Sequence, residues 1–173
     1  APAAADIGGA RFLHIMGCAL MPNAEFRSSV FDAVKLFAAR GAKVSFDPNI
    51  RFELLSGRTA ESIVGPVLDF CSVLLPGEKE LAMLSGLEDV DAAARKLLKR
   101  PPMETIVVKR GSRGCTVYSK DGKLDVPSYK VQEVDPTGAG DCFDAGFVCG
   151  LLDGKPAREC AEIAAAAGAL NAA

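Results

Sequence analysis

Short apolar runs of strand length alternate along this chain with longer segments of helical periodicity, and few folds accommodate that order. Residues 11–16 (RFLHIM) read as a buried strand that ends at Gly17. Residues 23–40 place Phe26, Val30, Phe31, Val34, Leu36 and Phe37 close to helical spacing, and Gly41 after Arg40 is a helix stop. Residues 43–46 (KVSF) form the next strand, closed by the turn Asp47-Pro48-Asn49. A helix over residues 59–70 follows, expected to be interrupted or kinked near Gly65-Pro66. Then come a strand at 73–75, a short helix at 78–84 and another at 91–99. Strands at 105–109 (TIVVK) and 115–118 flank the turn Gly111-Ser112-Arg113-Gly114, and Asp121-Gly122 signals a hairpin. The chain is helical from Gly138 to about Leu152, and an Ala-rich helix starts near Ala157. This order predicts an α/β fold, an open and mostly parallel sheet with helices on both faces. Ligands in such sheets bind outside the carboxyl ends of the strands. Four segments that follow strands are therefore candidate sites: 47–51, 76–80, 109–114 and 135–141.

Composition removes several classes of function. The chain has 173 residues, 49% of them hydrophobic and 24% charged, which suits one packed domain or the larger part of a divided one. Twenty Lys and Arg face 22 Asp and Glu, for a formal charge of −2. That balance, with no basic stripe, argues against a nucleic-acid partner. No apolar run approaches the roughly 20 residues a membrane helix needs, and residues 1–9 lack the basic start of a signal peptide. Cys18, Cys71, Cys115, Cys142, Cys149 and Cys160 are scattered without a CxxC pair, and His14 is the one histidine. Zinc binding is disfavoured, and reduced thiols in a cytoplasm are the expectation. His14 is expected to pack rather than to ligate.

The segment with the most chemistry is residues 134–143, VDPTGAGDCF. Gly138 and Gly140 flank Ala139, and Asp141 opens an apolar helix carrying Phe143, Phe147, Val148, Leu151 and Leu152. Small residues let a phosphate approach the backbone, and the N–H groups of a helix's first turn attract an anion. A carboxylate at the same place would repel that anion unless it handles a proton. Phosphoryl transfer accounts for both features: N–H groups stabilise the transferring group while Asp141 accepts the proton of the attacking hydroxyl. A plainer alternative is that Asp141 caps a helix. Cys142 beside it reads as a small core residue, although a helix N-terminus can lower a thiol pKa.

VDPTGAGD resembles the second signature of the ribokinase-like, phosphofructokinase-B-type carbohydrate kinases. The likeness extends to Asp47-Pro48-Asn49-Ile50-Arg51, to residues 76–80 and to residues 108–114 (VKRGSRG), in the family's order. In motif it is nearest to 2-keto-3-deoxygluconate kinase and fructokinase-like sugar kinases. The resemblance implies ATP-dependent phosphorylation of a sugar or sugar-acid hydroxyl in the cytoplasm, with Mg2+ spanning the phosphates. It implies Asp141 as catalytic base and Gly138, Ala139 and Gly140 as anion hole. It places Lys109, Arg110, Gly111, Ser112, Arg113 and Gly114 along the nucleotide. Asp135 and Thr137 match a monovalent-cation site, K+ in relatives, and Glu80 matches the acid that organises Mg2+ through water. Asp47, Asn49 and Arg51 are expected at the substrate or phosphates, the Arg51 guanidinium suiting a sugar carboxylate or a phosphate. Ordinary turn and surface roles remain open for Lys109, Ser112, Arg113 and Arg51.

Three departures from the family stand out. Gly77 occupies the Asn position of the family's N-x-x-E motif, and Ala165 stands where relatives often carry an Asn facing adenine. The third is length: the family's N-terminal sugar-binding region, lid and closing segment have no counterpart. Residues 1–173 are therefore expected to be the nucleotide-binding and catalytic part of a kinase domain, an apparent fragment of a protein that could homodimerise. The competing functions are a nucleoside kinase and a non-catalytic nucleotide-binding or regulatory module. A dehydrogenase and a P-loop NTPase are excluded, because neither G-x-G-x-x-G after the first strand nor G-x-x-x-x-G-K-[ST] occurs.

Overall fold

A computed structural model describes residues 8–173; the reading of residues 1–9 as lacking a signal peptide falls largely outside them. The strands are β1 (Phe12–Met16), β2 (Lys43–Asp47), β3 (Cys71–Leu74), β4 (Thr105–Lys109), β5 (Cys115–Ser119) and β6 (Gly122–Val126). The helices are α1 (Ala24–Ala39), α2 (Ala60–Leu68), α3 (Glu78–Ser85), α4 (Val90–Leu98), α5 (Ala139–Leu152) and α6 (Ala157–Ala172). Sheet order is β1-β2-β3-β4-β5-β6. The pairs β1-β2, β2-β3 and β3-β4 are parallel, while β5 and β6 form the antiparallel hairpin that Asp121-Gly122 signalled. The open, mostly parallel α/β sheet is thus observed.

The chain divides between Ile106 and Val107 into two compact units. In the first, residues 71–74 and 44–47 are buried at every position, as strands covered on both faces require. Phe46, Ile63, Leu68, Leu74 and Val34 are almost fully buried, and each such side chain contributes about 1.5–3 kcal/mol of transfer free energy. Helix starts follow local chemistry: the side chains of Asn23, Thr59 and Asp89 accept the N–H groups of Phe26, Ser62 and Ala92. Three expectations need correction. Helix α2 runs without interruption through Gly65 and Pro66. The third strand starts two residues earlier than 73 and ends at Leu74, because Cys71 and Ser72 are buried and join the ladder. His14 does not pack: it is exposed on β1, with Nδ1 3.0 Å from Ser45 Oγ and Nε2 3.4 Å from Met16 Sδ.

In the second unit α5 packs on α6 through small residues. A Cβ added to Gly146 would lie 3.0 Å from the Ala164 Cα, and one on Gly168 would lie 3.0 Å from the Ala139 carbonyl. That closeness seats Phe147, Ala161 and Ala164 in the core. All six cysteines are free thiols. Burial pushes the Cys71 and Cys160 thiols up, and holds Cys115 at about 11, so these stay protonated.

Candidate functional site

The candidate residues fall into two clusters, one in each unit. The first is the end of β2. Asp47 is 3% exposed and its Oδ1 accepts the Asn49 N–H at 3.2 Å. Asn49 has φ +35°, a left-handed conformation that this local bond makes tolerable. Gly17 lets the chain close in here: a Cβ at that position would fall 2.0 Å from the Pro48 carbonyl oxygen. Glu80, on the first turn of α3, accepts two backbone donors, the Ile50 N–H at 2.7 Å and the Gly77 N–H at 2.8 Å. The second bond is half of a capping box, whose other half is absent because Gly77 has no side chain. Each Glu80 oxygen keeps lone-pair capacity for a metal-bound water, which fits the way Mg2+ is usually held. Arg51 is exposed, and among the described residues no acceptor bonds to its guanidinium.

The second cluster surrounds a cavity of about 480 Å³. Its walls come from the end of β4 and the following turn (Lys109, Gly111, Ser112, Gly114), from the start of α5 (Ala139, Gly140, Phe143) and from α6 (Ala165, Gly168). Two glycines are required by geometry. Gly114 has φ +87°, and a Cβ there would sit 2.1 Å from the Val126 carbonyl oxygen. Gly138 is the N-cap of α5 with φ +83°. The Asp135 Oδ1 accepts the Thr137 N–H at 2.9 Å, and this bond holds the Asp135 carboxyl below its ordinary value. The Ala139 N–H is donated to the Pro136 carbonyl at 3.1 Å. No acceptor among the described residues takes the N–H of Gly140 or Asp141, so these donors face outward from the turn.

Asp141 is the third residue of α5, exposed, and its carboxylate receives no hydrogen bond among the described residues. The capping alternative is therefore not what the structure displays: the N-cap is Gly138, with no side-chain cap. Lys109 reaches across the turn. Its Nζ would stand 3.9 Å from a Cβ built on Gly140, and it donates to both oxygens of Asp144 at 3.1 and 3.2 Å. Cys142 is half-buried, its Sγ 3.2 Å from the Asn171 Oδ1, and the Asn171 amide donates to the Thr137 carbonyl at 2.8 Å.

Of the loop expected along the nucleotide, Lys109, Gly111, Ser112 and Gly114 line the cavity, whereas Arg110 and Arg113 do not. Arg110 instead pairs with Asp125 at 2.8 Å, and Asp125 also accepts the Thr116 hydroxyl. Sequence reading missed Asp144, Asn171 and the wall formed by Tyr129 and Val131. For Asp144 a signal existed, an acidic residue inside the apolar stripe of Phe143 and Phe147.

Comparison with known proteins agrees with the motifs. The profile of the pfkB family of carbohydrate kinases matches residues 2–173. Fructokinase-1 from Oryza sativa subsp. japonica is 35% identical over 154 residues, covering 84% of this chain and 48% of the rice protein. An E. coli protein assigned as a ribokinase II, solved with ATP and Mg2+, superposes with a TM-score of 0.91 at 34% identity, covering 98% of this chain and 55% of its own. A fructokinase from Vibrio cholerae O395, solved with fructose, ADP and potassium, gives a TM-score of 0.87 at 27% identity, covering 99% and 58%. The chain thus spans about half the length of the relatives it matches.

Proposed function

The chain belongs to the pfkB family of carbohydrate kinases, and on that footing we propose that residues 1–173 are the nucleotide-binding and catalytic part of a kinase that transfers phosphate from ATP to a hydroxyl of a sugar or sugar acid. The observation that carries this reading is the Asp141 carboxylate, unengaged and exposed, beside the unengaged N–H groups of a glycine turn at a cavity. A carboxylate that stabilised the fold would be hydrogen-bonded or paired; this one is left available to take a proton from a hydroxyl. The Gly140 and Asp141 N–H groups, at the positive end of α5, stabilise negative charge on the group in transfer. Lys109 adds a cation beside the same turn.

ATP with Mg2+ supplies the phosphoryl group and neutralises its charge when bound. Glu80 orients the β2 loop and offers its remaining lone pairs to metal-bound water. Asp135 and Thr137 are the candidates for a monovalent cation, supported by potassium in the fructokinase relative. The exposed Arg51 guanidinium suits a carboxylate or phosphate. Six free thiols suit a cytoplasmic enzyme.

The test is Asp141→Asn in the full-length protein, assayed by ADP release against a panel of sugars and sugar acids. Turnover should fall by roughly 10²–10⁴-fold, the range for loss of a general base, while ADP affinity stays near normal. Near-normal kcat would remove Asp141 from the chemistry. ADP binding without sugar-dependent turnover in the unsubstituted protein would instead favour a non-catalytic nucleotide-binding module.

A further inference from the structure

Asp144 is a buried carboxylate that the reading above leaves without a task. It is 1% exposed, in a helix face otherwise made of Phe143 and Phe147, where an ionised group is costly unless paired. It stands three positions after Asp141, so the two are neighbours on the surface of α5. Its two oxygens accept from Lys109 Nζ at 3.1 and 3.2 Å. The Lys109 side chain is 18% exposed, lines the cavity, and holds its ammonium 3.9 Å from where a Cβ on Gly140 would stand.

A lysine ammonium on a four-carbon stem does not hold one position by itself, and ordering it costs rotamer entropy. A buried carboxylate that grips it meets that cost in the folding of the chain rather than at the moment a ligand arrives. We propose that Asp144 is a positioning residue: it fixes the Lys109 ammonium against the Gly140 turn, so that the cation and the turn's N–H groups act on the same phosphate of a bound nucleotide. The inference rests on the nucleotide-site reading and adds to it a residue that never touches the ligand.

Its signature is a sign. Asp144 is a negative charge close to an anion site, and by Coulomb's law alone its removal should tighten phosphate binding. If its task is to place Lys109, removal loosens binding instead. Calorimetry on the full-length protein would use three probes: pyrophosphate, ADP and adenosine. Asp144→Asn and Lys109→Met should each weaken ADP and pyrophosphate by about tenfold or more, the size of one charge-assisted hydrogen bond, and leave adenosine within about twofold. The double variant should be no weaker than Lys109→Met, because one residue acts through the other.

Unchanged or tighter ADP binding by Asp144→Asn overturns the proposal, as do equal losses for adenosine and ADP, or additive losses in the double variant. Should Asp144→Asn not fold, the Cε resonance of Lys109 in the lysine-labelled, unsubstituted protein decides. It should move with pyrophosphate and not with adenosine, and a resonance indifferent to pyrophosphate overturns the proposal. An unsubstituted protein that binds neither ADP nor adenosine removes the nucleotide site and this inference together. Normal ADP binding with an indifferent Asp144→Asn removes this inference alone.

Discussion

The loop after β2 and the turn before α5 both carry acidic residues beside a strand or helix end, yet they use them in opposite ways. In the first, the carboxylates are structural ties: Asp47 is buried on the Asn49 N–H, and Glu80 joins Ile50 to Gly77. In the second, the turn is shaped by glycine and by backbone bonds, and Asp141 is left unengaged. A carboxylate tied by backbone donors is a poor base, because those bonds favour its charged form and protonation would weaken them. A group left over after the backbone has satisfied itself can change protonation without moving the fold. Acidity in a motif is therefore less informative than whether the acid has been given structural work.

The largest expected effect falls where glycine does the shaping. Gly114→Ala places a Cβ 2.1 Å from the Val126 carbonyl oxygen at φ +87°. Backbone has to shift there, since the obstacle is not a flexible side chain. With ψ at −140° this is backbone that glycine alone adopts readily; it costs an alanine about 1–3 kcal/mol, and the clash should bring the total to about 3 kcal/mol or more. Chemical denaturation would measure it. A loss under 1 kcal/mol would mean that the β4–β5 turn, which shares the cavity with the start of α5, is not held by glycine.

The next effect sharpens the contrast within one residue type. Glu80→Ala leaves the Ile50 and Gly77 N–H groups without their acceptor in a half-buried place, and should cost about 2 kcal/mol. Asp141→Ala removes only a favourable charge near a helix N-terminus and should cost below about 1 kcal/mol. Equal melting losses for the two would show that Asp141 also has structural work.

Much of this was legible in sequence because it depends on neighbours. Asn23, Thr59 and Asp89 stand where helix starts need acceptors, and Asp121-Gly122 marks its hairpin. Glycines in VDPTGAGD announce a shaped turn before a helix. What was not legible depends on distant partners. Lys109 meets Asp144 across 35 residues, Asn171 meets Thr137 across 34, and Arg110 is drawn to Asp125 by the β5-β6 pairing. No periodicity encodes such meetings. Strand β6 (GKLDV) escaped for a different reason: its residues are mostly exposed, so it lacks the apolar alternation that reveals a strand. In α2, packing of Ile63, Val64, Val67 and Leu68 outweighs the hydrogen bond that Pro66 removes, and the expected break does not occur.

The smallest expected effect concerns Asp135, an engaged carboxylate in the region whose key acid is unengaged. Its bond to the Thr137 N–H holds its pKa below the ordinary value, most of that through the backbone bond. The folded pKa lies below the unfolded one, near 3.9 for aspartate. The carboxylate's contribution is therefore complete above the unfolded pKa, and is lost as pH falls through the lower, folded one. Between those two values the turn should stay formed while a free aspartate would already be protonating. Because Asp135 is exposed, the consequence for global stability is slight and the measurement has to be local. Following the Asp135 carboxyl carbon and the Thr137 amide together by NMR gives two readings of one event. Both should titrate with a common midpoint below about 3.9. A midpoint at or above that value, or a Thr137 amide that ignores the titration, would mean that the bond does not hold in solution. The turn would then rest on the Asn171 amide at the Thr137 carbonyl and on the weaker side-chain bond between Thr137 and Asp135.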